Sequence, residues 1–357
     1  MFARRNLFVA ATAATVLLAV AGCGASTSGT TASPAGGSSA GGSGTTAAAA
    51  GGSSAGGSGT TAAAAGGSVK GKTVCYVTAA NSHPYVTPAN QGAQAAADKA
   101  GIKLTIVSEE FSPQTGADQL NSCVSRGANG ILLWPVDANS YLPGLIKAKA
   151  ANIPVVTIDT KAGDASMKLV ASFVGADKYA QGKVNADLLN KALGGKGNIV
   201  IIAGQAGNNT SIDRTNGFTD ELKKINSKLN VLATVNADFD QQKALVASRD
   251  LITKYGQQIQ GVYAEDDTMA QGFAQALKES GLKITPFVVG VNGQKSAFAA
   301  IKAGTQYSTI IQPPFLNGEL AMQTLIKVMQ GQTVAADVPL ENVVVDKSNV
   351  DSKSPAF

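Results

Sequence analysis

Histidine is almost absent from this chain: His83 is the only one in 357 residues. That scarcity excludes multi-histidine metal sites and leaves any Ser-His or Cys-His catalytic pair dependent on one residue. No Gly-x-Ser-x-Gly elbow joins a strand to a helix, and no His-Glu-x-x-His run occurs. Charged residues are few, at 15%, and 29 basic against 24 acidic residues give a net charge of only +5. The basic residues are dispersed, without a basic block or an aromatic-interleaved patch, so no nucleic-acid partner is expected. Catalysis, metal binding and a cofactor are all unsupported, and the chain is read as a non-enzyme.

What is present begins with a leader. Arg4 and Arg5 precede an apolar run from Leu7 to Ala21, and the run closes in Val20, Ala21, Gly22 and Cys23. It is too short and wrongly flanked to span a membrane and reads as a secretory signal over residues 1–22. Its last four residues resemble a bacterial lipobox, which implies that Cys23 becomes the mature N-terminus and carries the lipid. A plain signal peptide is the alternative, and the two arginines loosely resemble a twin-arginine export signal. Their loss lowers the net charge from +5 to +3. Residues 23–69 read as a lipid-anchored linker, almost wholly Gly, Ser, Thr and Ala, in which Ala35–Ala49 recurs letter for letter as Ala50–Ala64. Such a composition buries too little apolar surface to fold and spans about 35 to 40 Å as a coil. The body is therefore expected outside the cytoplasm, tethered to the outer face of a bacterial cell membrane.

From Lys70 onward, short β-branched runs alternate with longer Ala-rich amphipathic segments, the pattern of parallel βαβ units. Strands are predicted at Thr73–Thr78, Lys103–Val107, Gly130–Trp134 and Val155–Asp159, with helices at Asn90–Ala100, Pro113–Arg126 and Leu142–Ala150. A second set has strands at Asn198–Ala203, Val231–Asn236, Gly261–Ala264 and Phe287–Val291. Its helices are predicted near Ser211–Lys224, Gln241–Tyr255, Thr268–Ser280 and Gln294–Lys302. The fold class is α/β, two doubly wound parallel-sheet lobes, because a body of this length exceeds what one core comfortably serves. Ligands of such sheets bind outside the carboxyl ends of the strands. Polar and aromatic residues interrupt the apolar runs at those ends: His83 and Tyr85, Trp134, Asp159, Asp266 and Asn292. Two facing rims of this kind would enclose a cleft.

The ordered segments HPYV, QGAQAAADKAG, GANGILLWPVDA, IPVVTIDT, DRTNGF, ADFD, GVYAEDDTMAQG, VVGVNG and IIQPP resemble the type I periplasmic solute-binding proteins of the ribose-binding kind. The resemblance spans Lys70 to Phe357 and implies a three-strand hinge, with crossings near Gly175, Gln312 and Ala336. The implied lobes are residues 70–175 with 313–335, and 176–312 with 336–357. It further implies a sugar or polyol ligand, an ABC permease in the membrane as partner, and a monomer. Position by position, His83 takes the place of a pocket asparagine, Tyr85 that of a stacking aromatic, and Val86 that of a second one. Asp159 matches the strand-end carboxylate that accepts from hydroxyls. Thr160 stands where an arginine normally follows, Arg214 matches the second pocket arginine, Phe239 the second-lobe ring, and Gln312 the hinge glutamine. Asp266 and Asn292 exchange carboxylate and amide relative to the family. A single hydroxyl at Thr160 cannot replace a five-donor guanidinium, which weighs against ribose itself and leaves a small neutral polyhydroxylated ligand.

Plainer readings stand beside these. Asp159 could serve only a turn, Arg214 could pair with Asp213, and Trp134 and Phe239 could be ordinary core. The acidic run Glu265–Asp267 lacks the alternating spacing of a calcium loop, and helix capping accounts for one member. Paired carboxylates could hydrolyse a glycoside, but Asp159 and Asp266 would sit on opposite lobes of a mobile cleft. A ligand sensor acting on a membrane receptor and a binder of a non-sugar small molecule are the alternatives to transport. Cys75 and Cys123 fall on the first strand and the second helix; outside the cytoplasm a disulfide between them is favoured over two buried thiols. His83, flanked by Ser82 and Pro84, is expected to be a wall of the cleft that offers one donor and one acceptor to the ligand.

Overall fold

The structure, a computed structural model, describes residues 67–357. The signal sequence, Cys23 and nearly all of the linker lie outside the described residues. Val69, assigned to the linker from composition, is buried in the first core and its carbonyl accepts the Lys72 N–H, so the folded body begins slightly earlier than Lys70.

The first lobe alternates β1 (Thr73–Thr78), α1 (Val86–Ala100), β2 (Lys103–Ser108), α2 (Pro113–Ser125), β3 (Gly130–Leu133), α3 (Leu142–Ala150), β4 (Val155–Ile158), the short α4 (Asp164–Met167) and β5 (Ser172–Ala176). The chain then crosses and builds α5 (Lys178–Ala192), β6 (Lys196–Ala203), α6 (Asn209–Lys224), β7 (Lys228–Asn236), α7 (Gln241–Tyr255), β8 (Gly261–Ala264), α8 (Asp267–Ser280), β9 (Phe287–Val289), α9 (Lys295–Ala303) and β10 (Ser308–Ile311). It returns for α10 (Pro314–Met329) and β11 (Asp337–Leu340), and crosses again for β12 (Val343–Asp346). The two six-stranded sheets have the orders β11-β5-β4-β3-β1-β2 and β12-β10-β9-β8-β6-β7. All pairings are parallel except β10 with β12. Since β11 pairs with β5, the third crossing falls at Glu341 and Asn342, beyond the predicted Ala336.

Local chemistry sets the boundaries. Helix α1 starts ahead of the predicted Asn90 because Pro88 falls in its first turn, where no intrahelical N–H is required. Ser112 caps α2 by accepting from Thr115 N, Asp240 caps α7 through Lys243 N, and Gly101 ends α1 in the left-handed region at φ 67°. Apolar strand faces pack on helices from both sides, giving separate cores above and below each sheet. Cys75 of β1 and Cys123 of α2 are joined as a disulfide within one of these cores, with Cα atoms 5.8 Å apart.

Two helix pairs meet backbone to backbone. A Cβ on Gly92 or Gly318 would fall 2.0 Å from Phe315 O or 1.9 Å from Ala89 O, and this contact locks α1 to α10. In the second lobe a Cβ on Gly182 or Gly217 would fall 2.2 Å from Arg214 O or 2.1 Å from Tyr179 O, locking α5 to α6. Any side chain there would push the helices apart. The close crossings bring Asn317 of α10 to Asp159, and Gln181 of α5 to Arg214 of α6.

Candidate functional site

The carboxyl ends of both sheets face each other around one cavity, whose wall includes every one of the candidate residues His83, Tyr85, Trp134, Asp159, Thr160, Arg214, Phe239, Asp266, Asn292 and Gln312. Phe111, Asn208 and Thr210, which the sequence reading did not single out, complete it together with Val86. Phe111, Asp159, Phe239 and Asn292 all have positive φ, at 55°, 63°, 58° and 111°. Non-glycine residues hold this conformation only where surrounding contacts over-determine it, and such strain concentrates at functional walls. The strain here turns each side chain away from its strand direction and toward the space between the rims.

The rims touch across this space. His83 Nε2 lies 3.3 Å from the carbonyl oxygen of Phe239, and Gln205 Nε2 donates to the carbonyl of Phe111 at 2.9 Å. Each rim thus holds the turn that follows the second strand of the other lobe. The Thr160 and Thr210 hydroxyls meet at 2.9 Å, and Asn209 Nδ2 donates to Lys161 O at 2.7 Å. The lobes are closed upon each other.

These contacts revise the expected role of His83. Its Nδ1 accepts the Tyr85 N–H at 3.2 Å, so Nε2 carries the proton and donates to Phe239 O. Both ring nitrogens are therefore engaged by the protein, and the ring offers the cavity only its surface, packed edge-on against Phe111. Burial holds the imidazole below its ordinary pKa, in the neutral form this pairing requires. Pro84 is followed directly by the helical Tyr85 at the start of α1, so the chain turns there at once. Thr160 and Gln312 are likewise committed to protein partners. Gln312 Nε2 donates to Asp159 Oδ1 at 2.9 Å and to the Tyr85 hydroxyl, while its Oε1 receives Lys178 and Gln181.

Asp159, 5% exposed, is divided in its bonding. Its Oδ1 accepts from Tyr85 Oη at 3.0 Å, Lys178 Nζ at 2.9 Å, Gln312 Nε2 at 2.9 Å and Asn317 Nδ2 at 3.2 Å. Its Oδ2 has only the Thr160 hydroxyl at 3.5 Å, which leaves that oxygen with acceptor capacity. Arg214, 2% exposed, anchors Nε on Gln181 Oε1 at 3.0 Å and Nη1 on Glu265 O at 2.7 Å. It forms no bond with Asp213, and Nη2 has no protein partner among the described residues. Asp266 caps α8 with Oδ1 on Met269 N at 2.8 Å, while its Oδ2 is buried without a partner. Burial pushes the Asp266 carboxyl up to about 7.

The neighbouring acids have separate partners. Glu265 takes Gly204 N and the Thr215 hydroxyl. Asp267 takes the Gly293 and Gln294 N–H groups, the Thr309 hydroxyl and Gln306. The acidic run is thus consumed in tying β8 to the adjoining strands and loops. Trp134 and Phe239 belong to the cores of their lobes and also reach the cavity, so the two readings of these rings are not exclusive. Tyr85 packs edge-on against Trp134 and Phe357.

Residues 74–333 match the family model described as a periplasmic binding protein domain. The chain belongs to that family. Its two-lobed architecture is that of the type I periplasmic binding proteins. The chain is 29% identical over 275 residues to the ribose import binding protein of Haemophilus influenzae, covering 77% of this chain and 91% of that one. It is 30% identical over 275 residues to the xylitol-binding protein of Mycolicibacterium smegmatis, covering 77% of each. An ABC transporter solute-binding protein from Mycobacterium smegmatis, solved with bound glycerol, superposes with TM-score 0.74 at 30% identity, covering 80% of this chain and 99% of that one. The ribose import and ABC transporter relatives are binding components of transport systems, not enzymes.

Lys178, behind the cavity wall and bonded to Asp159, was also absent from the sequence reading. It is 5% exposed and forms the only ion pair of Asp159 among the described residues. The available signal was its place directly after the first crossing, next to Asp177 at the start of α5.

Proposed function

We propose that this chain is the lipid-anchored, extracytoplasmic substrate-binding component of an ABC importer, taking a small neutral polyhydroxylated ligand, a monosaccharide or polyol, between its lobes. The observation that carries the ligand class is the set of unsatisfied polar groups in the wall. Asp159 Oδ2 and Asp266 Oδ2 accept, Arg214 Nη2 donates, and the Asn292 amide does both. Hydroxyl groups answer all of them, because each donates once and accepts as well. Lys178 pairs with Asp159, and Arg214 acts favourably on Asp266 without pairing with it, so the wall carries no net formal charge for a charged ligand to answer. Phe111, Trp134 and Phe239 supply flat apolar faces for the C–H surface of such a molecule.

Contacts from both rims favour the closed arrangement when the ligand is present, so capture proceeds by hinge closure at the three crossings. The closed body on its Cys23 tether then presents the ligand to the permease. The relatives named for ribose and xylitol support this reading, as does the glycerol-bound structure. A thermal-shift screen of sugars and polyols tests it: at least one neutral compound raises the melting temperature. Stabilisation by amino acids or aromatic acids alone would overturn it. Cys23→Ser tests the anchor, since the variant leaves the membrane fraction as soluble protein or uncleaved precursor; normal membrane retention would remove the lipoprotein assignment.

A further inference from the structure

The hinge and the cavity share one buried polar network. Lys178 and Gln181 lie one turn apart at the start of α5, immediately after the first crossing, and neither lines the cavity. Lys178 Nζ donates to Asp159 Oδ1 at 2.9 Å and to Gln312 Oε1 at 2.7 Å. Gln181 Nε2 donates to the same Gln312 oxygen at 2.7 Å and to Asn342 Oδ1 at 2.9 Å, while its own oxygen accepts from Arg214 Nε at 3.0 Å. Asn342 Nδ2 donates in turn to Asp177 O at 3.2 Å. Asp177, Gln312 and Asn342 stand on the three crossings between the lobes. The chain of bonds therefore touches every hinge strand and ends on one cavity residue from each lobe, Asp159 and Arg214.

Rotation about the crossings changes their backbone angles and cannot preserve all of these bonds at once. Inside a low-dielectric region a partly broken network of this kind is costly, because a buried ammonium or carboxylate without its partner must be hydrated. The network thus favours two arrangements, complete or opened to water. We propose that Lys178 and Gln181 are positioning residues that couple occupancy of the cavity to hinge closure, by holding Asp159 and Arg214 in their ligand-facing orientations only while the crossings are closed. This inference rests on the reading that Asp159 Oδ2 and Arg214 Nη2 face a polyhydroxylated ligand. The divided bonding of Asp159 is its centre: Oδ1 belongs to the hinge and Oδ2 to the ligand. Coupling of this kind is reciprocal, so ligand strengthens closure by the factor that closure strengthens binding.

Lys178 supplies a readout that a merely structural residue would not move. Burial outweighs the attraction of Asp159 and pulls its pKa down to about 8. The ionisable groups acting on it are Asp159 after β4 and Arg214 and Asp213 on α6. Opening hydrates the ammonium and returns it toward the ordinary lysine value, so closure releases a proton between that value and about 8. Closure, and with it affinity, therefore strengthens as pH rises through this window. A lysine packed alike in both states gives no such slope.

The experiment is calorimetric titration between about pH 7.5 and 10 of wild type, Lys178→Met, Lys178→Arg and Gln181→Met. The probe is whichever of xylitol, D-ribose, D-allose, D-fucose and myo-inositol most raises the wild-type melting temperature. Wild-type affinity is expected to rise severalfold across the range. Lys178→Met loses the slope and binds about tenfold or more weakly at pH 8, Lys178→Arg also loses the slope because its guanidinium does not titrate there, and Gln181→Met weakens binding about fivefold and keeps the slope. Should Lys178→Met fail to fold, the other two variants decide. Retention of the wild-type slope by a lysine variant, or wild-type affinity in Gln181→Met, overturns the inference and leaves the ligand reading intact. Failure of the wild-type protein to bind any of the probes removes both.

Discussion

His83 and Phe239 come from opposite lobes, and the imidazole Nε2 stands 3.3 Å from the phenylalanine carbonyl oxygen while Nδ1 accepts the Tyr85 N–H. The neutral ring is held at both edges, and protonation at Nδ1 would set a donor against a donor. In an open cleft the hydrated imidazole takes up a proton at its ordinary pKa; in the closed one burial lowers that value. Closure is thus fully favoured above the open-state pKa and weakens as pH falls through it. Affinity is expected to fall as pH drops below the ordinary histidine value of about 6.5, and His83→Ala, which removes one hydrogen bond worth about 1 kcal/mol, to bind about fivefold more weakly at pH 7.5 with a shallower acid fall. An unchanged affinity with an unchanged acid slope would mean that His83 does not hold the rims together.

Burial of Asp266 is costly to the ligand-free protein. Its Oδ2 is buried without a partner, and burial raises the carboxyl to about 7. Above that pH the folded protein holds a charge that the unfolded chain would hydrate, so stability falls as pH rises from the unfolded value through about 7. Asp266→Asn keeps the cap on Met269 and removes the charge. Denaturation at pH 8 should show the ligand-free variant more stable by about 1 kcal/mol or more, with affinity for the bound polyol reduced about tenfold. A variant both less stable and equally tight would reverse the assignment.

Glu109 offers the same physics away from the cavity. Its carboxyl is buried at the end of β2, receives the Tyr141 hydroxyl at 2.5 Å, and is pushed up to about 9 by burial. It contributes stability below the unfolded carboxyl range that is lost as pH rises toward 9. Glu109→Gln removes this dependence, so the stability difference between variant and wild type should grow in the variant's favour from pH 5 to 9 in urea titrations. A difference independent of pH would count against a protonated Glu109.

The Cys75–Cys123 bridge closes a sequence separation of 48 residues across β1 and α2. Restricting a loop of that length in the unfolded chain stabilises by about 2 to 4 kcal/mol. The Cys75→Ala, Cys123→Ala double variant should lose that amount in denaturant titration while retaining ligand affinity, since the bridge lies within a core and away from the cavity. Loss of binding at full folding would tie the bridge to the site.

The strand-end residues of the site were legible because apolar runs stop where the rim begins, as at Ile158 before Asp159 and Ala264 before the acidic run. Helix α5 was not, and the reason is physical. Its buried face carries Lys178, Gln181, Gly182 and Asn185 in its first two turns, and only Ala186 and Leu189 beyond them are apolar, so the start of the helix shows no apolar stripe. The same polarity hid the hinge network. Phe111 went unnoticed because nothing in its local sequence announces a left-handed turn; its equivalence to Phe239 is visible only when the ends of β2 and β7 are compared in space. The third crossing, which the resemblance put near Ala336, falls instead at Glu341 and Asn342, the two residues that separate β11 from β12.

Calorimetry of the wild-type protein at pH 7.5 with matched neutral and charged compounds decides whether balanced buried charges and unsatisfied hydroxyl-reading groups select a neutral polyhydroxylated ligand. D-ribose, xylitol and myo-inositol would be set against ribose 5-phosphate, gluconate and glucosamine. At least one neutral compound is expected to bind with about micromolar or tighter affinity, and every charged one about a hundredfold more weakly or not at all. Tight binding of a charged compound with none of a neutral one would contradict that selection.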